Sequence, residues 1–472
     1  MVATMSDFAL LVPELILTGM ALALILAARR IQKTPVAVAG TLVAALAAAL
    51  ASAWVLSSGT RIGFGGMIIL DGYSQFFKVL IAATLALVAL LSVRSFDGEG
   101  VPRAEYHALL LLAATGMMLA VSAHDLLPLY LGLELMTLCS YILVGIRVER
   151  EASNEAAIKY FLLGSFASAL LIYGISLTYG VTGTTDFSVI ASALSGHGPG
   201  SNLLLLAAIG LVAAGLAFKI AAVPFHSWAP DAYQGASAPV AAFLAAGSKA
   251  VGLAALGRVF LTAFASEAHV MSVVLAGLAA LSLVAGSIIA LSQTDMKRLL
   301  AYSSISHAGY ALLGLIAGTP EGVSATMTYA FFYVFMTLGA FGVVIALGER
   351  GESLDGYQGL AVQRPGTALL MLLFLVSLTG IPPTAGFVAK FVVILSAVRT
   401  GHIALAVLAV ACSVVSAFFY MRVVVLMYMK EPQEAPPSRF PAAVFAALAV
   451  AALVTLIGGI YPGILAPWAL SP

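Results

Sequence analysis

The chain has 472 residues; 62% are hydrophobic, only 9% are charged, and the mean hydropathy is +1.07. Soluble domains carry about 25% charged residues, so this sequence cannot dress a water-facing surface and reads as a polytopic membrane protein. Its 22 Lys+Arg and 21 Asp+Glu leave a net charge of +1 with no basic block, which excludes nucleic-acid binding through a charged face.

A hydrocarbon layer about 30 Å thick takes about 20 apolar residues per helix. Apolar runs bounded by Gly, Pro or charge predict fourteen such spans. The first, 8–28, follows Asp7 with no Lys or Arg before it. That is the wrong flank for a cleaved signal peptide, so a retained helix is expected, with Glu14 near its end. Spans at 35–56, 73–93, 107–123, 126–146, 155–179, 202–222 and 238–262 come next. The rest lie at 270–292, 299–318, 323–348, 366–398, 402–428 and 440–462. These runs are too long for barrel strands and lack their alternation. The one sizeable gap, 180–201, reads as a Gly/Ser/Thr-rich loop, so the expected fold is a single all-α helical bundle. Cys139 and Cys412 sit inside apolar runs and make neither a disulfide framework nor a metal cluster.

Positive charge sets the expected orientation. Loops after odd-numbered spans hold thirteen cations: Arg29, Arg30, Lys33, Arg94, Arg103, Arg147, Arg150, Lys297, Arg298, Arg350, Arg364, Lys430 and Arg439. Loops after even-numbered spans hold three, Arg61, Arg258 and Arg399. Both termini are therefore expected away from the cytoplasm.

Six cations remain within spans: Lys78, Lys159, Lys219, Lys249, Lys390 and Arg422. A charge at the bilayer centre costs about 2.5–3.5 kcal/mol on insertion scales. Lys78 and Arg422 lie near helix ends and are expected to snorkel, and Lys159 forms an i,i+4 pair with Glu155. Lys219, Lys249 and Lys390 have apolar residues for two turns or more on at least one side. Pro224 follows Lys219 and Pro382-Pro383 precedes Lys390, so both spans are expected to be interrupted. Irregular backbone survives at membrane depth only inside protein or beside a wet cavity, and a broken helix beside a buried amine points to an ion pathway. Glu134 is the one acid in mid-span and needs a buried cation as its partner. Burial penalises an ammonium while a carboxylate favours it, so a lysine under both influences can exchange protons. His226 and His307 add imidazoles, which titrate at about 6.5 when unperturbed. Tyr302, Ser303, Ser306 and Tyr310 flank His307 at helical spacing.

Three stretches, FKIAAVPFHSWAPDAYQGASAPVAAFLAAGSKA, TDMKRLLAYSSISHAGY and LTGIPPTAGFVAKF, strongly resemble the antiporter-like membrane subunits of respiratory complex I. Those proton-pumping subunits of NADH–quinone oxidoreductase are related to subunits of Mrp-type sodium/proton antiporters. The resemblance covers roughly residues 105–430. It is closest to the subunit N branch, because DAYQGASAPV resembles that branch's YQGAP-type motif. Lys390 stands where subunit M has a glutamate, and no long lateral helix follows the last span, unlike subunit L. Ser237 departs from the motif, which has proline there.

The resemblance implies an inverted pair of five-helix repeats, each with a broken helix. The expected division is an N-terminal three-helix segment over 1–106, repeats over 107–262 and 270–428, and a C-terminal helix over 429–472. It makes Glu134 and Lys219 a pair on spans five and seven, Lys249 a bridging lysine on span eight and Lys390 a terminal lysine on span twelve. His226, His307 and Lys159 are further candidates. It places the chain in the inner membrane of a bacterium, assembled with antiporter-like and small membrane subunits. The flavin mononucleotide, iron–sulfur clusters, NADH and quinone belong to other subunits. This chain has no Rossmann GxGxxG after a strand, no CxxC and no haem motif, so neither cofactor nor metal is expected in it. Two alternatives to a redox-driven proton-translocating subunit are an Mrp-type sodium/proton antiporter subunit and a scaffold whose buried charges are vestigial.

Overall fold

A computed structural model describes residues 5–29, 34–56, 59–97, 100–195, 202–432 and 441–463. The counted cations Arg30, Lys33 and Arg439 lie outside the described residues. Six helices come first: α1 (Val12–Leu26), α2 (Thr34–Leu56), α3 (Gly72–Leu91), α4 (Arg103–Val121), α5 (Leu126–Val144) and α6 (Glu151–Thr182). A broken span follows, α7 (Leu203–Lys219) and α8 (Trp228–Gly235). Next come α9 (Ala238–Ala263), then α10 (Ala268–Ala290), α11 (Met296–Ile316) and α12 (Pro320–Leu347). The second broken span is α13 (Pro365–Thr379) with α14 (Ala385–Arg399), and α15 (Ile403–Met429) and α16 (Ala442–Ile460) close the bundle. Among the described residues, twelve helices are long and apolar enough to cross a membrane. The two interrupted spans complete the fourteen crossings. The protein is an all-α, multi-span bundle.

Local chemistry sets the helix starts. Asp71 and Ser74 form a capping box at α3, while Asp125, Asn202, Asp295 and Thr319 accept from first-turn amides of α5, α7, α11 and α12. Such caps satisfy amides that have no partner within the helix. Ser237 is the N-cap of α9 with Pro239 in its first turn, so the helix start tolerates serine where the resembling motif has proline.

Both breaks fall where proline was expected to put them. After Lys219 the chain leaves the helix, with Ala221 at φ 55° and a cis Val223–Pro224 bond. The Val223 amide donates to Ser282 Oγ of α10 at 2.9 Å, and the Trp228 indole to the Phe218 carbonyl at 2.9 Å. After Thr379, Gly380 takes φ 90° and Pro382–Pro383 is cis. That left-handed φ is open to glycine without steric cost. The Ser377 hydroxyl, one turn before the break, accepts from the Gly386 amide at 3.0 Å on the other side. Freed backbone groups are thus re-satisfied inside the protein, as hydrocarbon demands.

The core is α9, α11 and α12. Every residue from Ala236 through Phe260 is buried, and α11 is buried almost throughout. Helices apolar on all sides belong in a core. α1, α2, α6, α15 and α16 keep broad exposed apolar faces.

Five expectations are corrected here. Lys78 does not snorkel; it is fully buried and pairs with Glu14 of α1 at 2.7 Å, because α1 and α2 cover the α3 face that would otherwise lead to the surface. Arg422 is half-buried and caps α10, donating to the carbonyls of Leu291 (2.9 Å) and Gln293. Arg258 is no loop residue: it is buried inside α9 and grips Asp71 at 2.6 and 2.8 Å, its guanidinium 4.7 Å from the Tyr73 ring. Lys297, also counted with the loops, is buried at the start of α11 and pairs with Glu352 at 2.9 Å. The 180–201 gap is partly helical, since α6 runs to Thr182 and a short helix occupies Phe187–Leu194. A small antiparallel hairpin pairs Arg61–Gly63 with Ile68–Leu70.

Candidate functional site: a line of buried polar groups

The first cluster surrounds the end of α7. Lys219 is 3% exposed; its Nζ donates to Thr137 Oγ1 at 2.7 Å and to Glu134 Oε1 at 3.2 Å. Glu134 and Thr137 stand one turn apart on α5, so a single helix face supplies both acceptors. Ser168 of α6 donates to the same Glu134 oxygen at 2.5 Å. Three helices therefore converge on one carboxylate. That carboxylate is compensated by an ammonium and a hydroxyl, the condition for holding a charge away from water.

Lys249 lies on α9 directly after a π-helical turn, Leu244–Ser248. Such turns are frequent at functional sites. Lys249 is 1% exposed and donates to Ser304 Oγ of α11 at 2.7 Å. From Ser304, α11 presents His307 one turn on and Tyr310 a turn further. His307 shares hydrogen bonds with the hydroxyls of Tyr329 (2.6 Å) and Tyr420 (3.3 Å). Tyr420 also bonds Ser303, and Ser306 meets Ser287 of α10 at 3.0 Å.

The second broken span supplies Lys390, 5% exposed. Its Nζ donates to the carbonyl of Thr379, the last residue of α13, at 2.8 Å and to Ser413 Oγ of α15 at 3.0 Å. It also stands 4.4 Å from the Tyr310 ring centroid, where the ring's negative face attracts a cation. No carboxylate lies within ion-pair distance of Lys249 or Lys390 among the described residues. A groove of ≈ 1360 Å³ opens between α12 and α14 near this end, lined by Glu321, Ser324, Thr328, Val392, Ser396 and Arg399 among others. Thr328 and Val392 line it, and Lys390 does not.

Two candidates stand apart from this line. His226 is half-buried in the connection between α7 and α8. Lys159 is an exposed residue of α6, paired with Glu155 at 2.7 Å and Asp231 at 3.3 Å. The structure also adds groups the sequence reading passed over: Thr137, Ser168, Ser304, Tyr329, Ser413 and Tyr420. A hydroxyl in an apolar run is a weak signal, because Ser and Thr are satisfied by their own helix carbonyls. Thr137 and Ser304 do bond Leu133 and Ala301 in that way. No group of His, Cys, Asp and Glu suited to a metal occurs among the described residues.

This arrangement has relatives. The family described as "NADH:quinone oxidoreductase/Mrp antiporter, TM" matches residues 123–416. A Rhizobium meliloti protein named NADH-quinone oxidoreductase subunit N 2 is 47% identical over 411 residues, 86% of this chain and 85% of the relative. NADH-quinone oxidoreductase subunit N of Desulfovibrio desulfuricans is 44% identical, covering 98% of this chain and 96% of its own. Among solved structures, a chain of respiratory complex I from Thermus thermophilus superposes with a TM-score of 0.82 at 34% identity, covering 96% of this chain and 98% of that one. A chain of the Mrp complex from Dietzia sp. reaches 0.87 at 24% identity, with 98% and 96% covered, a likeness of fold alone.

Proposed function

This chain belongs to the NADH–quinone oxidoreductase subunit N family, and from that premise we propose that it is the complex I subunit that carries protons through the buried line described above. It is a multi-span membrane protein of a respiratory complex. Electron transfer from NADH to quinone, with its flavin and iron–sulfur chemistry, takes place in other subunits. The neighbours in the membrane are antiporter-like and small membrane subunits. The chain divides into an N-terminal three-helix segment over 1–106, repeats over 107–262 and 270–428, and a C-terminal helix over 429–472.

The observation that carries this reading is the row of polar groups that α11 sets, one turn apart, between two buried lysines. Lys249 bonds Ser304, His307 follows with two tyrosine hydroxyls, and Tyr310 lies under Lys390. Lys249–Ser304 and His307 with its tyrosines are direct hydrogen bonds, and the steps from Ser304 to His307 and on to Lys390 pass through intervening water, which proton transfer allows. Glu134 and Lys219 load the line, Lys249 bridges it, and Lys390 is its terminal group, from which protons leave on the far side of the membrane. His226 and Lys159 serve the approach to the Glu134–Lys219 pair. The membrane is the inner membrane of a bacterium, with both termini outside the cytoplasm, as the bias of loop cations requires.

The reading is tested in membrane vesicles holding the assembled complex. Lys249→Met should abolish most NADH-driven proton translocation while the complex still co-purifies with its flavin and iron–sulfur subunits. An assembled variant with parental proton uptake would reject the pathway. Orientation is checked separately: an impermeant thiol reagent applied from outside the cytoplasmic compartment should label a cysteine at Ser195 and not one at Glu149. The native Cys139 and Cys412 are buried and should stay silent. The Mrp-type alternative predicts gradient-driven sodium/proton exchange without electron transfer.

A further inference from the structure

At one end of the bundle, away from the buried line, a single carboxylate is shared by two cations from two helices. Asp231 of α8 accepts Arg298 Nη1 of α11 on Oδ1 at 2.7 Å and Lys159 Nζ of α6 on Oδ2 at 3.3 Å. Lys159 is also held by Glu155, and Arg298 donates to Gln234 Oε1 at 3.0 Å. The groups around Asp231 are thus Glu155 and Lys159 from α6, Arg298 with Tyr302 behind it from α11, and Gln234 from its own helix. Asp295, Lys297 and Glu352 form the next ring out, and Lys297 grips the end of α8 through the Ala236 carbonyl at 3.1 Å. An open cavity of ≈ 450 Å³ lies against Glu155, Lys159, Asp231 and Gln234. At Gly235 the α8 and α6 backbones touch: a Cβ there would lie 2.5 Å from the Ala152 carbonyl oxygen.

Each ion pair is partly exposed, and pairs of that kind add little to stability. Their placement is what matters. α6 carries Ser168, which bonds Glu134; α11 carries Ser304 and His307; and α8 continues the chain that holds Lys219 and His226. One side chain therefore ties together the three elements that position the first lysine, the bridging lysine and the histidine between the lysines.

We propose that Asp231 is a positioning residue for proton entry, a latch that holds Lys159 and Arg298 on one carboxylate and opens when the charge at this mouth changes. As counted, Lys159, Arg298, Asp231 and Glu155 balance to zero. Loss of the Asp231 charge leaves one cation unmatched and loosens Lys159 from α8, while Arg298 keeps Gln234. The bonds are weak enough to exchange at modest cost, unlike the buried Asp71–Arg258 pair. This inference rests on the pathway reading above and names how its entrance is set.

The test uses the assembled complex in vesicles, with proton uptake and NADH oxidation measured per complex across pH. Asp231→Asn keeps the shape and removes the charge. It should slow both rates by about two- to fivefold, the span that partly exposed ion pairs support. It should also move the pH profile to lower pH, because the unmatched cations disfavour a further proton. Asp231→Glu should restore most of the rate and the parental profile. Asp231→Asn combined with Lys159→Met should cost no more than the worse single variant, since the two act through one contact. Parental rate and profile in Asp231→Asn would overturn the proposal, even if assembly yield fell, because a purely structural contact would do just that. Losses that multiply in the double variant would overturn it as well. Lys249→Met, run alongside, separates the two failures: if it alone blocks uptake, only the latch is lost, and if it pumps normally the pathway itself is wrong.

Discussion

At the first break Lys219 ends α7 with a carboxylate 3.2 Å away, and at the second Lys390 lies one turn into α14 with none among the described residues. Both helices are interrupted by a proline-containing connection, both lysines are buried, and both are stitched to a neighbouring helix by a hydroxyl, Thr137 or Ser413. The partners of the charge differ. Glu134 cancels the Lys219 cation, whereas Lys390 meets a carbonyl dipole, a hydroxyl and an aromatic face among the described residues. Dipoles compensate a buried ion less fully than a counter-ion does. One break holds a charge pair together, and the other surrounds its amine with dipoles, the environment that the proposed release of a proton would need. That division fits loading at one end and release at the other.

The largest effect should come from Lys390. Lys390→Ala removes the only amine at the second break, and NADH-driven proton uptake in assembled complex should fall by about a hundredfold, the scale of losing a positioned acid–base group. NADH oxidation should fall with it, because the two are coupled. Lys390→Glu keeps a titratable group, and should retain more activity than Ala with an altered pH profile. Equal activity in Ala and parental complexes would break the comparison at its stronger end.

Glu134 and Lys219 should fail together. Glu134→Ala leaves a buried amine without its counter-charge, a loss of about 3–5 kcal/mol for buried pairs. Glu134→Ala and Lys219→Ala should each depress uptake strongly, and the double variant should be far less impaired than the product of the two. A double-mutant cycle with no coupling would mean that the 3.2 Å contact carries no functional weight, and the contrast with Lys390 would collapse.

Backbone geometry at the second break offers a third test. A Cβ on Gly386 would lie 1.7 Å from the Ser377 carbonyl oxygen, so Gly386→Ala must push α13 from α14. Overpacking of this kind costs about 1–3 kcal/mol. Thermal stability of the complex should drop, and Lys390 should lose its bond to Thr379 at the end of α13. Gly366, near the start of α13, has open space around it, and Gly366→Ala should leave both properties unchanged. If the two variants behave alike, the half-helices are not as closely seated as their distances say.

Much of this was legible in the residues. Pro224 and Pro382-Pro383 announced the breaks, since proline cannot continue a helix. Charges inside apolar runs marked Glu134, Lys219, Lys249 and Lys390 because hydrocarbon makes them costly. What stayed hidden depends on packing between distant segments. Lys78 looked free to reach the surface until α1 and α2 covered it, and Arg258 looked like a helix-end cation until Asp71, 187 positions away, met it. The π-helical turn before Lys249 has no residue signature comparable to proline. The hydroxyls that connect the lysines were invisible for a different reason. A serine or tyrosine in a span is inexpensive wherever it finds any acceptor, so its presence says little about which acceptor it finds.

Those hydroxyls allow the smallest and finest test. Thr137 accepts from the ammonium of an ion pair, while Tyr420 serves an imidazole and a serine. A hydrogen bond to a charged group contributes about 1.5–3 kcal/mol and one between neutral groups about 1 kcal/mol. If the first break holds a charge pair and the line beyond it runs through neutral groups, the two deletions should differ in size. Thr137→Val, which keeps the shape, should slow proton uptake by at least about tenfold, since 1.4 kcal/mol is a factor of ten. Tyr420→Phe should slow it by about fivefold, because His307 keeps the stronger contact with Tyr329 at 2.6 Å. Tyr329→Phe should then exceed Tyr420→Phe, and the double Phe variant should exceed both. Should Tyr420→Phe prove as damaging as Thr137→Val, the line past Lys249 would have to carry charge as fixed as that at Glu134–Lys219. The distinction between a holding end and a releasing end would then have no basis in the side chains that form them.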